Sequence, residues 1–525
     1  MIMTRFILIL LLVAIQGLPA VFAGEPAVAT TDSAAALDVE KALANISGND
    51  SAAQEAAAAW LMQHGDVELL PKLEEIRLNA YRTVRLLLKP VIDSLKNRAN
   101  LISPNVTTRR SAAADLGSSG RPEALRWLEE AYPKESDRWV RYTIQESIAL
   151  IRLASDDHVT RIGAAVKLGE LHSQNAVQAL KELAQEPPPE SAESGPEAKE
   201  ARDRQLAVAQ AAREAIERID VWTSWTSSIE TIFRGISLSS ILLLMALGLA
   251  IIFGLMGVIN MAHGEFMMLG AYATFVTQEL FRAYLPESYF DYYFILAMPV
   301  SFIAAALVGL FLEATLIRFL YGRPLETMLA TWGVSLILIQ AARVYFGDLT
   351  SVVAPGWLSG GAQVMVGVQL PYNRLFIIGL SVLCVLGIYF VLFRSGVGLR
   401  VRAVMQNRQM GACLGIPTRK VDAYTFAFGS GLAGLAGWAL TLIGNVEPGL
   451  GQNYIVDSFM VVVTGGVGKL AGTIVASLGI GGLNKLLEPS FGAVYGKVLI
   501  LVMVVLFLQW RPSGLFAMKG RQVEN

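Results

Sequence analysis

Hydrophobic positions divide the chain near residue 222. Before that point, apolar residues recur at helical spacing among Ala, Glu, Lys and Arg, which predicts amphipathic helices. From Ile236 onward, apolar runs of roughly 18 to 25 residues follow one another, and each is long enough to cross a bilayer as a helix. The pattern therefore predicts an all-α protein with a soluble domain, 24–222, followed by a polytopic membrane domain, 223–525.

The first 23 residues have the form of a secretory signal peptide. Arg5 precedes an apolar run at 6–14, and small residues end at Ala23, after which cleavage is predicted. An uncleaved anchor helix remains an alternative. In either case we expect the soluble domain to be delivered outside the cytoplasm.

Two stretches of the soluble domain are similar to each other. The text RRSAAADLGSSGRPEALRWLEE starts at Arg109, and its counterpart RIGAAVKLGELHSQNAVQALKEL starts 52 residues later at Arg161. Shared small and aliphatic positions include Ala113 with Ala165, Leu116 with Leu168, Gly117 with Gly169, Ala124 with Ala176, and Leu128 with Leu180. This resembles a HEAT-like helical pair, in which a Gly ends the first helix and stacked neighbours bury a shared face.

The membrane domain contains eight long apolar segments. They lie at 238–257, 262–281, 292–317, 325–346, 374–393, 421–444, 471–487 and 495–510. Arg318, Arg323 and Arg511 mark cytoplasmic loops by the positive-inside rule. An external N-terminal domain and a cytoplasmic C-terminus require an odd number of crossings. A short ninth segment, 455–466, is therefore predicted to cross, unless another segment only dips into the bilayer.

Composition excludes several classes of function. The net charge is −1, so no general basic field is available for nucleic acid. The two cysteines, Cys384 and Cys413, cannot form a disulfide framework or a cysteine metal site, and neither a metal nor a cofactor is predicted. The text GGVGKL at 465–470 lacks the Ser or Thr and the upstream Gly of a phosphate loop, and it is better explained by close helix packing. We therefore predict that the chain is not an enzyme.

A basic stretch, 394–420, separates two apolar segments. It holds six basic residues and no acidic one, which indicates a cytoplasmic loop. Its middle, 401–414, is predicted to form one short helix that Gly415 and Pro417 terminate. Such a helix can be offered to a cytoplasmic partner. The alternative is a loop that only sets the topology and touches lipid headgroups.

Three stretches carry a family resemblance. They are SLSSILLLMALGLAIIFGLMGVINMAHGEFMMLGAY at 237–272, GRPLETMLATWGVSLIL at 322–338 and GLRVRAVMQNRQMGACLGIPTRKVDAYTFAFGSGLAGLAG at 398–437. Together they resemble the permeases of branched-chain amino-acid type ABC importers, and the long N-terminal extension resembles the urea transporter permeases within that group. The resemblance implies an inner-membrane protein that works with a second permease subunit, two cytoplasmic ATPases and an external solute-binding protein.

The resemblance also implies a coupling segment that contacts the ATPase. It falls on Arg402, Ala403, Gln406, Asn407, Leu414, Gly415 and Ile416. The sequence departs from the usual family text at 406–408, so the detailed contact with the ATPase is open at this point.

Polar residues inside the apolar segments are candidates for the substrate pathway. Asn260, His263, Glu265 and Thr331 are costly at membrane depth unless they pair or face water. A structural role for His263 and Glu265, in which they tie helix ends together, remains an alternative. Amide, imidazole and carboxylate groups suit a neutral planar solute. The resemblance to the urea transporter permeases implies transport of urea or short amides, with a branched-chain amino-acid permease, a passive urea or amide channel, and a sensor or scaffold as alternatives.

Overall fold

The computed structural model describes residues 33–48, 50–185 and 196–516, so the predicted signal peptide, 1–23, lies outside the described residues. The chain divides into two compact units. Unit 1 comprises the described residues up to Leu171 together with Gln178–Ala215, and unit 2 comprises His172–Val177 and the residues from Ile216 onward.

Unit 1 is built from short amphipathic helices. They are α1 (Ser33–Ile46), α2 (Ser51–His64), α3 (Leu70–Asn79), α4 (Arg82–Asn100), α5 (Val106–Ser118), α6 (Pro122–Ala131), α7 (Arg138–Leu153), α8 (His158–Leu171), α9 (Val177–Leu183) and the beginning of α10 (Pro196–Met256). Asp50, Asn105 and Asp137 begin α2, α5 and α7, because each side chain accepts a hydrogen bond from a first-turn N–H. Leucines that are 0–1% exposed, among them Leu61, Leu88 and Leu128, fill the core.

The two similar stretches each form two successive helices, α5 with α6 and α8 with α9, and residues 172–177 of the second stretch are counted in unit 2. Their corresponding small and aliphatic positions, such as Leu116 and Leu168, are buried in both copies. Gly117 does not end its helix, as the sequence suggested, but lies one residue inside it. A Cβ there would lie 2.7 Å from the Cα of Ser147, so the glycine is needed for close packing of α5 against α7. The HEAT-like interpretation stays a prediction.

Unit 2 consists mainly of longer, apolar helices. They are the remainder of α10 (Pro196–Met256), α11 (His263–Tyr284), α12 (Tyr293–Thr315), α13 (Pro324–Phe346), α14 (Tyr372–Arg394), α15 (Gly396–Gln406), α16 (Arg408–Cys413), α17 (Thr418–Leu440), α18 (Leu450–Gly465) and α19 (Leu470–Trp510). Within α19, Gly492 has a φ of 77°, so this element is two helices joined at a kink.

All nine predicted apolar segments overlap helices of unit 2. By length and composition, five helices in the described part of the chain are able to cross a membrane: Lys199–Gly254, Glu287–Phe319, Pro324–Phe346, Tyr372–Arg394 and Leu470–Trp510. The chain is therefore an all-α membrane protein, and the number of eight or nine crossings stays a prediction.

Glycines bring the helices of unit 2 into backbone contact. A Cβ on Gly270 of α11 would lie 2.5 Å from the Cα of Gly434 in α17, and a Cβ on Gly434 would lie 2.6 Å from the Cβ of Ala305 in α12. Close approach of this kind gives strong van der Waals packing where lipid removes the hydrophobic driving force. The same holds for GGVGKL, since a Cβ on Gly254 would lie 2.6 Å from the Cα of Gly468. Gly468 lies in the turn between α18 and α19, so this contact is between a helix and a turn, and helix-to-helix packing through GGVGKL stays a prediction.

One β-hairpin interrupts the helices in the described part of unit 2. Strands β1 (Gly361–Met365) and β2 (Val368–Pro371) pair antiparallel within the long connection between α13 and α14. Gly367, with a φ of 84°, supplies the tight turn between them. The indole N–H of Trp222 donates to the carbonyl of Val366 at 2.9 Å, which ties the turn to α10.

Candidate transport site

A polar turn connects α10 to α11 at the centre of unit 2. Gly257 has a φ of 64° and lets the chain reverse after α10. Asn260 follows, is fully buried, and accepts a hydrogen bond from the Ala262 N–H at 3.0 Å through its Oδ1. This bond fixes the orientation of the amide, so the Asn260 Nδ2 group is a free donor; it has no partner within the described residues.

Glu265 lies in the first turn of α11 and is 1% exposed. Its Oε1 accepts a hydrogen bond from the hydroxyl of Ser335 in α13 at 2.7 Å, whereas its Oε2 has no partner within the described residues. A Cβ on Gly451 would lie 2.7 Å from this Oε2. The carboxylate is therefore held between α13 and the beginning of α18.

Thr331 stands one helical turn before Ser335 and is also buried. Its hydroxyl accepts from the Met261 N–H at 3.1 Å and donates to the Met328 carbonyl at 3.1 Å. Neighbouring turns of α13 thus contact both parts of the turn region: Thr331 binds the connection that carries Asn260, and Ser335 binds Glu265 of α11. Sequence reasoning missed Ser335, although its spacing of four residues from Thr331 places both on one helical face.

His263 faces a different neighbour. It precedes Glu265 by two residues, which turns the two side chains about 200° apart around the helix. Its Nε2 is 3.1 Å from the carbonyl oxygen of Met245 in α10, and because a carbonyl only accepts, Nε2 carries the proton. A Cβ on Gly248 would come within 3.1 Å of the imidazole Cε1, so the glycine makes room for the ring. The structure therefore separates His263 from Glu265.

The basic stretch forms two helices rather than the single helix predicted over 401–414. The chain leaves helical geometry at Asn407, whose φ is −154° and ψ is 105°. Its side chain accepts a hydrogen bond from the Met410 N–H at 2.9 Å and so caps α16. The local competition between capping and helix continuation explains the error. The predicted end is confirmed, because Gly415 has a φ of 79° and the Ile416 N–H donates to the Gly411 carbonyl at 3.1 Å.

The seven residues of the predicted coupling segment do not share one environment. Gln406, Asn407, Leu414 and Gly415 are exposed, whereas Arg402, Ala403 and Ile416 are half-buried. Leu414 is 74% exposed and Met410 is 58% exposed. The outward face of α16 therefore presents apolar side chains beside polar ones.

Arg408 anchors α16 to the helices behind it. Its guanidinium forms an ion pair with the carboxylate of Asp422, in the first turns of α17, and lies 4.7 Å from the centre of the Tyr321 ring. Asp422 is buried, with a side chain 3% exposed, while that of Arg408 is 45% exposed. The pairing joins α16 to α17 and to the connection between α12 and α13. No local pattern in the sequence indicates it.

Residues 231–508 match the family model described as "Branched-chain amino acid transport system / permease component". The chain belongs to this family. Both the polar cluster around Glu265 and the basic stretch lie inside the matched residues, so both are parts of the permease. The membrane assignment and the resemblance to branched-chain amino-acid type permeases are thereby confirmed, whereas the likeness to the urea transporter permeases stays a prediction. The permease is an integral inner-membrane protein.

Three relatives show how far the likeness extends. The permease is 28% identical to the high-affinity branched-chain amino acid transport system permease protein BraD of Pseudomonas aeruginosa, over 55% of this chain and 95% of that protein. It is 27% identical to the probable branched-chain amino acid transport permease protein LivH of Methanocaldococcus jannaschii, over 55% and 92%. It is 26% identical to the high-affinity permease protein LivH of Salmonella typhimurium, over 55% and 94%. No solved structure matches the permease significantly.

Proposed function

We propose that this permease is the membrane subunit of an ABC importer that translocates branched-chain amino acids. The observation that carries the proposal is the family match over 231–508, joined to relatives that bear this cargo in their names. The expectation of urea or short amides has less support than this alternative, which the sequence had left open.

Urea or a short amide is the second candidate, on two observations. The hydrogen bonds of Asn260, Glu265 and Thr331 reach hydroxyls and backbone groups and include no Lys or Arg within the described residues. The carboxylate of an amino acid would need a cation, whereas a neutral solute needs only donors and acceptors. In addition, residues 1–230 lie outside the family match. A long N-terminal extension is the feature in which the sequence resembles the urea transporter permeases.

Uptake measurements distinguish the candidates. Cells with and without this chain are given labelled leucine or labelled urea at equal expression of the partner subunits. Leucine uptake that depends on the chain supports the first proposal, and urea uptake alone supports the second. Urea uptake that persists when the ATPase subunits are removed would instead identify a passive channel.

In the proposed pathway, Glu265 is the residue that meets the substrate. Its Oε2 is a buried acceptor without a partner in the described part of the chain, and such groups usually bind water or a solute. We expect Glu265→Gln to lower uptake at least tenfold, whereas Glu279→Gln, farther along α11 and paired with Arg282, leaves uptake unchanged. Equal uptake in both variants would instead support a purely structural role for Glu265.

The energy is supplied by separate ATPase subunits through α16. Met410 and Leu414 form the docking surface, since their exposed apolar side chains suit a groove on a partner. A push on α16 reaches α17 through the Arg408–Asp422 pair, then α11 through Gly434 and Gly270, and so the helix that carries Glu265. Packed helices transmit such displacements as rigid bodies.

Leu414→Ser tests the docking surface. Because the side chain is 74% exposed, its loss leaves the fold intact while removing an apolar contact. We expect weaker co-purification of the ATPase subunits and lower uptake. Leu399→Ser is the matched control, since Leu399 is 63% exposed on the preceding helix α15. Normal assembly of the Leu414→Ser variant would refute the assignment.

The complete importer contains this chain, a second related permease subunit, two cytoplasmic ATPases and an external solute-binding protein. The basic stretch and the C-terminus face the cytoplasm, and the domain at 24–222 faces the periplasm, as the distribution of Arg and Lys supports. Closure of the ATPase dimer opens the pathway to the binding protein, and hydrolysis resets it. Full transport after deletion of 24–219 would exclude docking of the binding protein as the role of that domain.

A further inference from the structure

An apolar cavity of about 400 Å³ lies behind the coupling segment, within unit 2. The end of α10, the end of α14, α15 and the connection into α19 line it on its protein side. Its apolar lining includes Leu247, Ile251, Leu392, Phe393, Met405 and Leu470. The volume lies within the range of small-ligand sites.

Two cations line the same cavity, Arg402 and Lys469. Arg402 donates weakly to the Gly398 carbonyl at 3.4 Å and lies 5.2 Å from the Phe393 ring centre. Within the described residues, neither cation forms an ion pair, and no residue that lines the cavity is acidic. An apolar space with two uncompensated positive charges is complementary to a molecule with an anionic head and an apolar tail.

We propose that this cavity binds an anionic phospholipid, whose phosphate contacts Arg402 and Lys469 and whose acyl chain enters the apolar space. The cavity opens beside the basic stretch, where anionic headgroups of the cytoplasmic leaflet concentrate. A nucleotide would place its polar base against aliphatic side chains, and an acidic peptide would leave its backbone N–H groups unpaired there. The aliphatic lining therefore favours the lipid.

The lipid would brace the coupling segment from inside. Arg402 and Met405 belong to α15, directly before the cap at Asn407, while Leu247 and Ile251 belong to α10. A bound acyl chain fills the space between these helices and restrains α15. In this proposal the Arg402 side chain binds the lipid phosphate, whereas the family resemblance had implied that it contacts the ATPase. The inference concerns a site distinct from the substrate pathway, so it stands whichever cargo is carried.

Lipid retention by the assembled importer tests the site. The purified complex is exposed to defined mixtures of phosphatidylglycerol and phosphatidylcholine and examined by native mass spectrometry. We expect wild-type complex to retain phosphatidylglycerol preferentially, and Lys469→Gln to reduce that retention about fivefold. Lys469→Arg should restore it. Lys485→Gln is the control, since Lys485 pairs with Glu488 at 2.5 Å and does not line the cavity.

Several outcomes would overturn the proposal. Equal retention of the two lipids, or unchanged retention in Lys469→Gln, would exclude an anionic lipid at this position. Displacement of the lipid by millimolar inorganic phosphate would identify a simple anion site. A Met405→Cys variant that crosslinks to a second protein subunit in the complex would show that a protein covers the cavity instead.

Discussion

The two units differ in how closely their helix backbones approach: Gly117 of unit 1 meets Ser147, whereas in unit 2 glycines of neighbouring helices meet each other. Unit 1 fills its core with leucines such as Leu88 and Leu128, which are fully buried. Unit 2 places glycines where helices cross, as Gly270 and Gly434 do. Water drives the burial of large side chains in the first case, whereas in lipid the helices gain stability from close van der Waals contact. Substitution of a helix-contact glycine by a larger residue is therefore expected to be tolerated less well in unit 2 than in unit 1.

Buried polar groups differ in the same way. Unit 1 has ion pairs at its surface, such as Arg126 with Glu130, and a more buried one between Arg109 and Glu135. In unit 2, the carboxylates of Glu265 and Asp422 are almost fully buried and link helices: Glu265 joins α11 to α13, and Asp422 joins α17 to the preceding helix α16. Charged side chains thus lie mainly at the surface of unit 1, whereas in unit 2 buried charged side chains join neighbouring helices.

The largest effect is expected from Gly434→Val. The added side chain would collide with the Ser301 backbone and the Ala305 side chain, where a single Cβ already lies within 2.6 Å of both. Overpacking costs about 1–3 kcal/mol, and more where the backbone cannot shift, so we expect loss of monodisperse permease in detergent extracts. Gly379→Val is the control, because a Cβ at Gly379 meets no atom within 4 Å. Equal yields would contradict the packing argument.

The second effect concerns the pair that holds α16. Arg408→Gln leaves the carboxylate of Asp422 buried without its partner, which costs about 3 kcal/mol at most, since the guanidinium itself is 45% exposed. We expect uptake to fall while ATP hydrolysis by the assembled importer continues. The double variant Arg408→Gln with Asp422→Asn removes the lone charge and should recover stability in thermal unfolding. Uptake and hydrolysis that fall together would indicate a merely structural pair.

Leu128→Ala measures the packing of unit 1. The side chain is fully buried, so its truncation should cost about 2–5 kcal/mol. We expect faster hydrogen exchange in α5, α6 and α7 of the intact protein, with exchange in α17 unchanged. Leu86→Ala, at a position 64% exposed, is the control. A change that reached α17 would show that the two units do not unfold independently.

The smallest effect depends on pH. A hydrogen bond from Arg109 lowers the pKa of Glu135 from its ordinary value of 4.5. The pair therefore stabilises unit 1 above about pH 4.5, and this contribution is lost as the pH falls through the folded-state pKa. Glu135→Gln should lower stability at pH 7 by about 1.5–3 kcal/mol and make the decline below pH 4.5 shallower.

The exposed pair of Arg126 and Glu130 provides the comparison for that measurement. Glu130→Gln should change stability by less than about 1 kcal/mol, because both side chains are more than half exposed. The free energy of unfolding is followed by denaturant titration across the pH range. Identical pH profiles for wild type and Glu135→Gln would exclude the Arg109 bond as the source of the effect.

Helix positions and the polar candidates were accessible from sequence, because apolar length, glycine content and charge are local properties. The segments 238–257 and 374–393 lie where the structure has α10 and α14. Asn260, Glu265 and Thr331 could be singled out because polar residues are rare in apolar runs. Gly451, beside the Glu265 carboxylate, gave no such signal, since glycines are common throughout unit 2.

The sequence by itself determined that the chain is a two-part, all-α membrane protein with a basic stretch whose helical part ends at Gly415. Periodicity, run length and charge need no knowledge of distant contacts. Only the tertiary structure decided that Asn407 caps a second helix, that Arg408 turns inward to Asp422, and that His263 and Glu265 face different helices. Those outcomes depend on which helices become neighbours. The basic stretch is therefore attached to α17 through Arg408 and Asp422, and it exposes Met410 and Leu414 on its surface.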